Sequence, residues 1–210
     1  LGRGLVREDV AAVLMDEPLT VIDPDLKFRL RRSLKEINEQ YKTTLVYVTH
    51  DQNEAMTFAD NIIVMDQGEI VQVGLPKELF EKPKTTFVGY FIGSPAMNLF
   101  NSEIASNNSI KFNNLEINTN TDLSNIKNKK VKLGIRSEFI KVANDQKENV
   151  INVKVSRVED FGNFKLITGK IGDFEIKSKV ERETPISSDN LKLFLPAEKC
   201  CVYSEDKLVQ

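Results

Sequence analysis

A run of apolar residues, Val13-Leu14-Met15, ends in two adjacent carboxylates, Asp16 and Glu17, followed by Pro18. A second run, Leu45-Val46-Tyr47-Val48-Thr49, ends in His50, the only histidine of the chain. Short apolar runs closed by polar residues are the pattern of buried strands. Two such strands side by side would bring an acid pair and an imidazole to one edge of a sheet. One carboxylate could then hold a hydrated magnesium ion, the next could polarise an attacking water, and the imidazole could touch a terminal phosphate. That set is the equipment of ATP hydrolysis, and it is more specific than any of its parts. Taken singly, Asp-Glu-Pro is a solvated strand end with a turn proline, and a lone histidine is a strand-end residue satisfied by a backbone carbonyl.

The neighbouring sequence predicts the elements that would position these groups. Asp23-Pro24 is a helix start, with the acid as N-cap and proline in the first turn. Leu26, Leu30, Leu34, Ile37 and Tyr41 recur at helical spacing behind it, so this helix should cover a sheet. Thr44 to Val48 reads as a strand buried on both faces, and Asp51 with Glu54 as a capping box for the next helix. Strand, helix, strand, helix implies a parallel sheet. Ile62 to Met65 and Ile70 to Val73 flank Asp66-Gln67-Gly68-Glu69, a hairpin expected to close that sheet. Leu75 to Lys82 and Thr85 to Phe91 read as short helices split by Pro83, and Gly93-Ser94-Pro95 ends the pattern. Beyond it come alternating stretches at Lys130 to Ile135, Val150 to Val158, Phe164 to Gly169 and Phe174 to Val180, the pattern of a small β-barrel. Asn107-Asn108 and Asn113-Asn114 read as turns.

Composition bounds the function. With 210 residues and 40% hydrophobic content the chain can build one large or two small cores. A net charge of −2, from 29 basic and 31 acidic residues, recommends neither nucleic acid nor anionic lipid as a partner. No apolar run reaches the roughly 20 residues needed to span a bilayer, and Leu1 to Ala12 lacks the apolar core of a signal peptide. The expected location is the cytoplasm. Cys200 and Cys201 are adjacent, so on a strand they would face opposite ways and serve as packing.

From Leu1 to Phe100 the chain resembles the ATP-binding subunits of ABC importers, in particular the group serving maltose, sn-glycerol 3-phosphate and related sugars. The segments that carry the resemblance are Leu1-Gly2-Arg3, MDEPLTVID, THDQNEAMTFAD, VMDQGEIVQVG and FIGSPAMNLF. KVKLGIRSEF, just before Ile140, resembles the accessory TOBE domain of that group. The resemblance implies an α/β fold, the C-terminal part of a P-loop ABC ATPase domain over 1–93, followed by an all-β, OB-like TOBE regulatory domain over 97–210. It implies ATP and Mg2+ as cofactors. Asp16 would hold the metal through water, Glu17 would be the general base, and His50 would be the switch histidine on the γ-phosphate. Asp23 would be the D-loop aspartate that communicates across a homodimer of ATPase subunits. The other implied partners are integral-membrane permease subunits, with the protein peripheral on the inner face of the membrane, and a regulatory protein on the TOBE domain.

Two departures temper this. The usual D-loop Ser-X-Leu-Asp is Thr20-Val21-Ile22-Asp23 here. No G-x-x-x-x-G-K-[ST] phosphate cradle occurs: Gly169-Lys170 is followed by Ile171, and Phe164 stands where the first glycine belongs. The Q-loop and LSGGQ signature are absent as well. The expectation is therefore a C-terminal portion of an ATPase subunit that alone binds ATP poorly and leaves apolar strand edges exposed. The alternative is a non-catalytic regulatory or dimerisation module. Phe112, Phe139, Phe161, Phe164, Phe174, Phe194 and Tyr203 read mostly as core and not as a platform for stacking bases.

Overall fold

The structure, a computed structural model, describes residues 11–186 and 189–209. Leu1-Gly2-Arg3, which carry part of the resemblance, lie outside the described residues. Contacts divide the chain into two compact units, Leu1–Ile62 and Ile63–Gln210. The expected division near Gly93 falls inside the second unit.

In the first unit, strand β1 (Ala12–Asp16) pairs in parallel with β2 (Thr44–Val48), and helix α1 (Pro24–Tyr41) connects them. Asp23 caps α1 by accepting the Asp25 N–H at 3.0 Å, with Pro24 in the first turn, as the sequence predicts. Lys42 ends it in a left-handed conformation, φ 51°, its N–H bonded to the Asn38 carbonyl. Helix α2 (Gln52–Phe58) follows β2 directly.

Parallel register puts Val13 opposite Leu45 and Met15 opposite Tyr47, on the face where Ile37 and Tyr41 of α1 lie close to Val13 and Leu45. Met15, Leu19 and Leu34 are buried. The opposite face carries Leu14, Val46 and Val48, and Leu14 is 77% exposed. The expectation that β2 is buried on both faces therefore fails: among the described residues nothing buries the face of Leu14, Val46 and Val48. The helical stripe is likewise only partly used, with Leu34 buried and Leu26 and Tyr41 exposed.

The second unit opens with the hairpin β3 (Ile62–Asp66) and β4 (Glu69–Gly74), which forms a sheet of its own among the described residues and joins no parallel sheet. Its turn holds Gln67 and Gly68 at positive φ, the geometry of a tight hairpin. Helices α3 (Pro76–Glu81) and α4 (Thr86–Phe91) follow on either side of Pro83.

Among the described residues the remaining regular structure is antiparallel β, apart from a 3-10 turn at Ala197–Lys199. One sheet runs β12 (Phe174–Glu181), β11 (Phe164–Ile171), β10 (Val150–Asp160), β13 (Asn190–Phe194), β9 (Lys141–Val142). The other runs β15 (Lys207–Leu208), β14 (Cys201–Ser204), β8 (Lys130–Ile135), β5 (Asn98–Ser106), β6 (Ser109–Phe112), β7 (Leu115–Asn118). The expected barrel is thus two hydrogen-bonded sheets around one shared core, which includes Phe100, Phe112, Leu133, Ile151, Ile167, Ile176 and Leu193. Asn113 and Asn114 form the β6–β7 turn at φ 46° and 63°.

Both helices are tied to this β unit, which is why compactness does not divide at Gly93. Fully buried Arg136, just past β8, donates to the carbonyls of Phe80, Gly89 and Ile92. The Thr86 N–H and hydroxyl bond Asp206, and the Leu208 N–H bonds the Lys84 carbonyl. Cys200 and Cys201 are free and buried in different clusters, the opposite facing expected of neighbours on an extended segment. Burial pushes the Cys200 thiol up to about 12, so it stays protonated and inert. Phe112 and Tyr203 are core, while Phe161 is exposed and stacks on Phe164 at 4.8 Å, against the core reading.

Candidate functional site

The parallel pairing of β1 and β2 places their C-terminal ends together, Asp16 opposite Val48. Immediately beyond, the Glu17 N–H bonds the Val48 carbonyl at 2.9 Å, which extends the ladder by one link. Glu17 then turns sharply, at φ 42°, an unusual conformation for a residue with a Cβ. This turn leaves its side chain exposed beside the end of β2. Glu17 Oε1 lies 2.7 Å from His50 Nδ1, and Oε2 accepts from the Thr20 hydroxyl at 3.1 Å.

The two ionisable groups reinforce each other. The hydrogen bond from His50, then that from Thr20, holds the Glu17 carboxyl below the usual carboxylate range. The Glu17 hydrogen bond and its charge push the His50 imidazole above its ordinary value. The carboxylate stands open to solvent and can exchange a proton with water, though the imidazole contact that lowers it makes it a weaker base while the contact lasts.

Of the four residues singled out by sequence, the structure brings Glu17 and His50 into contact. Asp16 stands beside them, exposed at the strand end, and makes no side-chain hydrogen bond to either. Asp23 remains the cap of α1. Among the described residues no cluster of three or more histidine, cysteine or acidic side chains forms a metal cage. One hard oxygen donor suits magnesium, which keeps most of its waters and takes one or two carboxylates together with phosphate oxygens. Asp16 fits that role.

Sequence reasoning missed the residues behind the pair. Thr20, read as a D-loop hydroxyl, orients Glu17. Glu54, read as half of a capping box, leaves the cap to Asp51 alone and sends its carboxylate to Tyr47 and Thr49. The spacing of a strand-end threonine and a glutamate one helical turn into the next helix could have signalled it.

Residues 93–140 match the MalK OB fold domain family. The chain is 37% identical over 199 residues to the sn-glycerol-3-phosphate import ATP-binding protein UgpC of Shigella boydii serotype 4 (strain Sb227), covering 93% of this chain and 55% of that protein. Against UgpC of Vibrio vulnificus (strain CMCP6) the identity is 38% over 223 aligned positions, covering 99% of this chain and 56% of that protein. The UgpC of Escherichia coli (strain K12) is 37% identical, with 93% and 55% covered. The chain thus spans about half the length of the curated relatives it matches. Among solved structures, the cytoplasmic molybdate-binding protein ModG gives a TM-score of 0.43 at 12% identity, covering 50% of this chain and 94% of that one. Over most of its own length the chain is thus similar to sn-glycerol-3-phosphate import ATP-binding proteins, and at residues 93–140 it matches the MalK OB fold domain.

Proposed function

We propose that these residues are the water-activating and phosphate-sensing part of an ATP-hydrolysing importer subunit. Residues 1–93 would belong to its P-loop ATPase domain and 97–210 to its TOBE domain. The observation that carries the reading is the 2.7 Å contact of Glu17 with His50 at the ends of adjacent parallel strands. In this reading Glu17 accepts a proton from the attacking water, and His50 bonds the γ-phosphate and keeps that water in line. Asp16 holds magnesium through water, and the metal, when bound, supplies charge neutralisation on the phosphate oxygens. Asp23 faces a second ATPase subunit. The substrates imported would be sn-glycerol 3-phosphate, sugars or related solutes, through permease subunits in the membrane, with the protein on its cytoplasmic face.

The backbone amides and lysine of a phosphate cradle supply most of the grip on a triphosphate, and no such motif occurs in these 210 residues. Asp16, Glu17 and His50 act on a phosphate that other sequence must hold. The test is turnover by a protein of the relatives' full length. There His50→Ala should lower ATP hydrolysis on the order of 100-fold, because a positioning hydrogen bond is lost. Full activity in that variant would remove His50 from the mechanism.

A second reading, a regulatory and dimerisation module, is favoured by the β unit. Its outer surface holds a trough of about 790 Å³, bordered by Lys111, Lys130, Lys132, Glu103, Asp206 and several asparagines. It contains none of the chemistry-bearing residues above, so it speaks for docking and not for hydrolysis. A regulatory protein would bind there.

A further inference from the structure

Glu54 is a carboxylate with 3% exposure, buried in a unit where Asp16, Glu17 and Asp23 are exposed and Asp51 is half-buried. Burying such a group is costly unless hydrogen bonds and an opposite charge satisfy it. Its partners are specific. Oε2 accepts from the Tyr47 hydroxyl and from the Thr49 hydroxyl, both at 3.0 Å. Oε1 has no hydrogen bond, but Lys27 Nζ of α1 stands 3.5 Å away.

The Thr49 hydroxyl has one proton and two lone pairs. It gives the proton to Glu54 and accepts the Asp51 N–H at 3.0 Å. Asp51 in turn caps α2 through the N–H groups of Asn53 and Glu54. A closed circuit therefore runs from Glu54 to Thr49, to the backbone of Asp51, and back to the start of the helix that carries Glu54. His50 is the residue enclosed between Thr49 and Asp51, and its exposed side chain has Glu17 as its hydrogen-bond partner. Without the circuit, the strand-to-helix bend could rotate and carry the imidazole away from Glu17.

We propose that Glu54 is a positioning residue, which through Thr49 and Asp51 fixes the backbone of His50 and so holds the imidazole on Glu17. The proposal rests on the reading of Glu17 and His50 as the reacting pair. It assigns Glu54 no contact with substrate. Lys27 and Tyr47 complete the device by keeping the buried carboxylate charged and in place.

The chain has a single histidine, so one imidazole resonance reports on His50 in the intact 210-residue protein. The charged groups acting on it are Glu17, Asp51 and Glu54. Thr49→Val cuts the circuit without altering any of them. Its titration midpoint should fall from the raised value most of the way to that of Glu17→Gln, near the ordinary 6.5. Thr49→Ser should keep the wild-type midpoint. A wild-type midpoint in Thr49→Val, with Glu17→Gln shifted, overturns the positioning role and leaves the pair intact. An unshifted midpoint in Glu17→Gln overturns the pair itself. Loss of the folded Tyr47 and Phe58 ring signals in both Thr49→Val and Glu54→Gln also overturns the proposal, since Glu54 would then hold the whole unit together and not His50 in particular.

Discussion

Arg136 Nη1 donates to the Gly89 carbonyl at 2.8 Å, and the same nitrogen bonds the carbonyl of Ile92. Both carbonyls lie at the C-terminal end of α4, where that of Gly89 also accepts the Met97 N–H at 3.2 Å. The guanidinium lies 4.6 Å above the Phe80 ring, and its Nε bonds the Phe80 carbonyl, so one buried side chain closes both α3 and α4. Gly93 follows at φ 106°, where a Cβ would come within 2.6 Å of Nη1.

Arg136→Lys should therefore behave as a severe substitution. A lysine cannot reach three carbonyls in a planar fork. Loss of these charge-assisted bonds should cost about 2–4 kcal/mol. Urea unfolding measures the loss, and hydrogen exchange should localise it to residues 76–92.

Asn98 joins the two sheets as a strand would. Its Nδ2 donates to the Lys177 carbonyl at 2.9 Å and its Oδ1 accepts the Lys177 N–H at 2.8 Å. A third bond runs from Nδ2 to the Ile135 carbonyl. Asn98→Ala leaves these backbone groups unpaired, with a cost of about 1–3 kcal/mol for each one that water cannot reach. Asn98→Asp keeps the acceptor but brings a charge beside two carbonyls, and should be at least as harmful. Thermal unfolding of both variants checks the order.

The contact of Glu17 and His50 should depend on pH in a defined sense. The raised imidazole contributes stability in full below its ordinary 6.5, and loses it as pH climbs through the folded value. The lowered carboxyl contributes in full above its ordinary 4.5, and loses it as pH falls through the folded value. The pair is thus tightest between about 4.5 and 6.5. Both side chains are exposed, so salt should weaken the contact. A His50 titration midpoint above 6.5 at low salt, drifting down with added salt, is the expected record.

Calorimetric titration of the 210-residue chain with Mg-ATP should show no one-to-one binding in the micromolar range, because no phosphate cradle is present. Tight binding would mean that other residues build the phosphate site.

Much of this was legible in the chain. Asp23-Pro24 announces its helix because an acid cap and a fixed φ act locally, and the asparagine pairs announce hairpins because few residues tolerate positive φ. Glu17 and His50 were legible as a pair because an apolar run ends at each of them. Glu54 was not, since an acid three residues after Asp51 fits a capping box equally well, and only burial beside Tyr47 decides against it. The bare face of Leu14, Val46 and Val48 was half legible: an apolar run says that a strand can be buried, not which neighbours bury it. Arg136 stood in a recognisable segment, yet nothing in residue pattern tells that a guanidinium is enclosed by helix carbonyls thirty or more residues away in sequence.

The most direct measurement is the turnover of Glu17→Gln in a protein of the relatives' full length, with nucleotide affinity measured alongside. Glutamine keeps the size and polarity of Glu17 and removes the acceptor for the proton of water. Nucleotide binding should persist while hydrolysis falls on the order of 100-fold or more. Hydrolysis at the wild-type rate, with nucleotide still bound, would contradict the assignment of Glu17 as the base.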